Sequence, residues 1–74
     1  VTTFFSWLQQ QAERNDPIGV LSRSASRDKI FPRHTSKLSV LLLRYDNDIT
    51  LRKAVKSAHA EWRVVRRNER RSLA

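Results

Sequence analysis

Apolar residues recur at helical spacing in four stretches of the chain, separated by short segments rich in turn-forming residues. Phe4, Trp7, Leu8 and Ala12 share one side of a first predicted helix that Thr3 precedes, with Gln9, Gln10, Glu13 and Arg14 on the other side. Phe5 lies beside this face and either widens it or is partly exposed. Ile18, Leu21 and Ala25 mark a second, thinly apolar helix, in which Ser22, Ser24 and Ser26 leave room for close neighbours. Asp16 predicts its start, since a side-chain acceptor there meets the unpaired amides of the first turn, where Pro17 loses nothing by lacking an N–H. Gly19 lowers helix propensity by about 1 kcal/mol relative to Ala. It implies close approach of another backbone, or else a tolerated surface glycine.

The residue before a proline disfavours the helical region, so Phe31-Pro32 is expected to end the second segment and leave Phe31 as a core plug. After a loop through Arg33 and His34, Ser36 is placed to cap a third helix whose face is Leu38, Leu41, Leu42 and Tyr45. Val40 and Leu43 fall on its flanks, as candidates for an exposed contact. Asp46-Asn47-Asp48 reads as a turn, with Asp48 or Thr50 capping a last helix. Leu51, Ala54, Val55, Ala58, Trp62 and Val65 form its apolar seam. The seam ends there, because continuing the helix puts Glu69 near the angle the apolar residues had occupied; the end is expected to project or fray. These patterns predict an all-α, compact bundle of four to five helices with a long C-terminal helix, a single domain over residues 1–65 and a basic C-terminal extension over 66–74.

Composition narrows the reading. A chain of 74 residues has room for one domain, burying only roughly 60% of its unfolded surface. Without Cys it has neither a disulfide framework nor a thiolate metal site, and a reducing cytoplasm fits best. The longest apolar run, Val40-Leu41-Leu42-Leu43, falls far short of the ~20 residues that cross a bilayer. Phe4, Phe5, Trp7 and Leu8 have no basic flank and no small-residue cleavage site, so they are expected to be folded structure and not a signal peptide.

Charge adds a functional candidate. Fifteen Lys and Arg against seven Asp and Glu give a net charge of +8, which makes polyanions the leading partner class. At about 100° per residue, Arg52, Lys56, His59, Arg63, Arg66, Arg67 and Arg70 form one stripe of the last helix, centred roughly 110° from its seam. Lys53 and Arg71 lie beside it. One helix can thus pack with one face and offer cations to a phosphate backbone with another; the plainer alternative is the solvated face that any core helix needs. Trp7 and Trp62 fall on apolar seams and are read as core, not as base-stacking platforms. No zinc-finger spacing, RNP-type strand or helix-turn-helix is evident.

Catalytic signals are weak throughout. His34 and His59 have no thiolate companions, and Asp46 and Asp48 lack the further ligands of a calcium loop. No serine sits in a G-x-S-x-G elbow, and a single Gly excludes a P-loop or a dinucleotide fingerprint. No catalytic residue, metal, cofactor or small-molecule substrate is expected.

Phe4-Phe5-x-Trp7-Leu8, Arg14-x-Asp16-Pro17-x-Gly19-x-Leu21, Asp28-x-x-Phe31-Pro32 and the late Trp62 together resemble the YozE-type SAM-like domains of bacteria. The resemblance runs from about Phe4 to Val65. The third helix is more apolar than that pattern, and the arginine-rich end looks like an addition. The resemblance implies a small helical bundle similar to sterile alpha motif domains, whose members bind proteins, self-associate or bind nucleic acid. It carries over no catalytic residues; Asp16, Pro17, Phe31, Pro32 and Trp62 match it in positions suited to capping, turning and packing.

The leading expectation is a non-enzymatic module that engages DNA or RNA through backbone phosphates with Arg52, Lys53, Lys56, Arg63, Arg66, Arg67, Arg70 and Arg71. The alternative is a protein-interaction adaptor, self-associating or docking an acidic partner, with Val40 and Leu43 as its contact. A third, weaker reading brings the cationic end to an anionic membrane surface.

Overall fold

A computed structural model describes residues 3–73, with the side chains of Arg70, Ser72 and Leu73 left undescribed. Four helices and no strand occur among these residues: α1 (Phe4–Gln9), α2 (Pro17–Arg27), α3 (Leu38–Arg44) and α4 (Ile49–Leu73). The all-helical architecture with a long final helix is as predicted. At 25 residues and about 1.5 Å per residue, α4 accounts for the 41 Å long axis of the molecule, and it packs against each of the other three helices.

Local chemistry sets the helix starts. The Thr3 hydroxyl accepts from the Ser6 amide and begins α1. Asp16 Oδ1 accepts from the Gly19 amide at 2.9 Å, with Pro17 at the first turn of α2. Asp48, of the two candidates, caps α4, accepting from the Leu51 amide at 3.0 Å.

Three expectations need correction. α1 stops at Gln9, short of Ala12, where the backbone tightens, the Gln10 amide donating to the Trp7 carbonyl and the Gln11 amide to the Leu8 carbonyl, and side chains hold the same stretch. The Trp7 carbonyl accepts from the Gln11 side chain, the Leu8 carbonyl from the buried Ser22 hydroxyl, and the Ala12 carbonyl from Arg23. α2 ends at Arg27, before Phe31-Pro32 is reached. Asp28 leaves the helix in an extended conformation, and its carboxylate accepts from the Ile30 amide and pairs with Arg44 Nε at 2.6 Å. Ser36 does not cap α3. Lys37 occupies that position without a side-chain cap, and Ser36 Oγ accepts instead from the Phe4 amide, tying the loop before α3 to the start of α1.

Gly19 resolves to a close approach. A Cβ there would lie 2.0 Å from the Arg14 carbonyl oxygen, while no residue among those described, Gly19 included, adopts a positive φ. The requirement is for space, not for backbone freedom. Arg14 itself bridges the joint: it bonds Asp16 through Nε at 2.9 Å and reaches Glu61 of α4 with both terminal nitrogens, at 3.0 and 3.3 Å.

Phe5 is buried, and the adjacent Phe4 and Phe5 serve different clusters. Phe4 meets Trp62 edge-on at 5.9 Å between ring centroids and also contacts Trp7 and His59. Phe5 packs on Phe31, and Phe31 on Tyr45. Leu8, Ile18, Leu21, Ala25, Leu41, Ala54, Val55 and Ala58 complete the core, with Leu38, Leu42, Leu51 and Val65 partly buried around it. Beyond Val65 the helix continues to Leu73; Ala74 lies outside the described residues.

Candidate functional site

The apolar seam of α4 fixes its orientation and thereby sorts its cations. Arg52 is engaged: its Nη1 donates to Asp46 Oδ1 at 2.8 Å, across the turn before the helix. Lys53 lies on another side, in a cleft of about 200 Å³ with Pro17, Ile49 and Ser57, where the starts of α2 and α4 meet. Lys56, Arg63, Arg67 and Arg71 are exposed. The Arg70 side chain lies outside the described residues.

Arg66 is half-buried. Its guanidinium lies over the Trp62 ring, 5.4 Å from the centroid, and its Nε is enclosed without a hydrogen-bond partner among the described residues. Trp62 is 4% exposed, so its role is packing, as the seam implied.

Carboxylates engage cations elsewhere in the bundle, and Glu69 lies on α4 between Arg67 and Arg70. Ion pairs join Arg14 to Asp16 and Glu61, Arg44 to Asp28, and Arg52 to Asp46. The Gly19 amide, followed by Arg14, holds the Asp16 carboxyl below its ordinary range, and Arg44 does the same for Asp28 against the opposing effect of burial. Among the described residues, no ion pair involves Lys37, Lys56, Arg63, Arg66 or Arg67.

Beside the stripe, the loop before α3 faces α4 across an open groove of about 380 Å³. His34, Thr35, Ser36 and Lys37 form one wall, and His59, Trp62, Arg63 and Arg66 the other. Helix and loop are joined through His59, whose Nε2 lies 2.9 Å from the Ser36 carbonyl. A carbonyl only accepts, so Nε2 carries the proton. The helical wheel of α4 could not include the loop wall; the basic and hydroxyl-bearing run from Arg33 to Lys37 was its one sequence signal.

A family model described as the YozE SAM-like fold matches residues 3–59. The chain belongs to that family. The matched span contains α1 to α3, the Arg14–Asp16–Gly19 joint and the loop wall of the groove, and it ends at His59. The family match therefore covers the body of the bundle, whereas Trp62 and the arginines from Arg63 to Arg71 lie beyond it. No curated protein and no solved structure matches the chain.

Among the described residues, no group of three or more His, Asp or Glu side chains is placed to hold a metal ion, and no helix is long and apolar enough to cross a membrane. The exposed apolar residues on α3 are Val40, 37% exposed, and Leu43, 72% exposed, three positions apart on one face.

Proposed function

We propose that this member of the YozE SAM-like family is a non-enzymatic module that binds DNA or RNA through backbone phosphates. The reading rests on one observation: acids compensate Arg14, Arg44 and Arg52, while Lys56, Arg63, Arg66 and Arg67 share a face of α4 with no ion pair among the described residues. Uncompensated cations on a rigid helix attract polyanions and release their counterions, which gives affinity without requiring base readout. Burial of Trp62 points the same way, because a covered ring offers no platform for a base. The lack of Cys suits a cytoplasmic setting.

Fluorescence anisotropy with labelled duplex and single-stranded oligonucleotides, at low and high salt, tests the proposal. Binding at low salt that weakens at high salt is expected, as is a broad loss across sequences when Arg63, Arg66, Arg67 and Arg70 are changed to Gln. Negligible binding at low salt would remove the idea.

Exposure of Val40 and Leu43 favours a second reading, self-association through the outer face of α3. Light scattering at high concentration distinguishes it: an oligomer lost on changing both residues to Ser supports this reading, and a strict monomer excludes it.

A further inference from the structure

The stripe on α4 and the loop before α3 converge at one place, and the chemistry there is more specific than a charged surface. We propose that the groove between them seats a single phosphate group of the bound strand, with the rest of the stripe following the backbone away from it. This inference rests on the nucleic-acid reading above.

Three features support it. The lining carries Lys37, Arg63 and Arg66 and no carboxylate. At about 380 Å³ the groove lies at the small end of ligand sites, a size that suits one phosphate with its flanking sugars.

The hydroxyls of the loop are already oriented. Thr35 Oγ1 accepts from the Lys37 amide at 3.2 Å, and Ser36 Oγ from the Phe4 amide at 3.3 Å. With their oxygens occupied as acceptors, both groups keep an O–H to donate, which is the role an anion requires.

The walls are also fixed before any ligand arrives. His59 holds the Ser36 carbonyl, and stacking on Trp62 restrains Arg66. A restrained guanidinium loses less side-chain entropy on meeting a phosphate than a mobile one, and its planar fork suits two oxygens at once. The site is expected to ignore base identity, since Trp62 is covered by Arg66 and by its contacts with Phe4 and His59.

An amide-resolved NMR titration tests this, first with inorganic phosphate against chloride at equal ionic strength, then with a short single-stranded oligonucleotide. The expected result is saturable shifts at Thr35, Ser36, Lys37 and the Trp62 indole with both probes. Arg63→Gln with Lys37→Gln should weaken oligonucleotide binding by about a hundredfold, roughly tenfold for each of the two charged hydrogen bonds lost, whereas Lys53→Gln with Arg71→Gln should leave the groove shifts in place. Both pairs are exposed, so folding is expected to survive and the amide spectrum reports it directly. Oligonucleotide binding with shifts along Lys56 and Arg67 but none in the loop overturns the groove and leaves the nucleic-acid reading standing. Phosphate shifts that rise without saturation also overturn the groove. Absence of oligonucleotide binding at low salt overturns both.

Discussion

A methyl group on Gly19 would meet the Arg14 carbonyl oxygen at 2.0 Å, and this contact opposes the ordinary helix preference for alanine. Propensity alone would favour Gly19→Ala by about 1 kcal/mol, but overpacking against backbone costs about 1–3 kcal/mol and has no flexible side chain to yield. Net destabilisation is therefore expected, read as a lower midpoint in urea; a raised midpoint would mean that the joint relaxes freely. Asp28 gives a second residue-scale expectation. Its hydrogen bond from Arg44, then the Ile30 amide, lower its folded-state pKa. The unfolded chain thus takes up this proton first as the solution is acidified, so the contribution is present above about pH 4 and is lost as the pH falls further, through the folded value. Melting temperature measured from pH 7 to pH 2 should fall at the acid end, and Asp28→Asn should flatten that limb; an unchanged limb would remove the assignment.

At the scale of elements, α4 is both the spine of the bundle and the carrier of its charge, and Trp62 links the two roles. The ring packs edge-on against Phe4 inside and supports Arg66 outside. Truncation to Ala removes a buried indole at a cost of about 3–5 kcal/mol, a large share of the 5–15 kcal/mol typical of a domain. A steep fall in thermal midpoint is expected for Trp62→Ala, with Trp62→Phe intermediate, and equal stability of the three proteins would show that the ring is dispensable. The seam of α4 was legible because a helix that packs must repeat its apolar residues. The ends of α1 and α2 were not: they depend on Ser22, Arg23 and Arg44 reaching carbonyls or carboxylates far along the chain.

For the whole molecule, net charge is less informative than its distribution. The ion-paired acids serve the α1–α2 joint, the α2–α3 connection and the turn before α4, and among the described residues Lys56, Arg63, Arg66 and Arg67 enter no ion pair. If four of these cations meet phosphates, log affinity against log salt should fall with a slope near −3.6 on duplex DNA and about −2.8 on a single strand. A slope near zero, with binding retained, would point to a non-electrostatic contact instead.

Helix order, the cap at Asp16, the choice of Asp48 or Thr50 for the cap of α4, the packing seam of α4 and the family were all contained in the sequence, because capping and amphipathic periodicity are local chemistry. Tertiary structure decided which cations remain uncompensated and which loop faces them. Ion pairing and groove formation depend on distances between segments far apart in the chain: Arg14 finds Glu61, and the Ser36 carbonyl finds His59. Helical periodicity placed the stripe on α4, but only folding set the loop with Lys37 beside it.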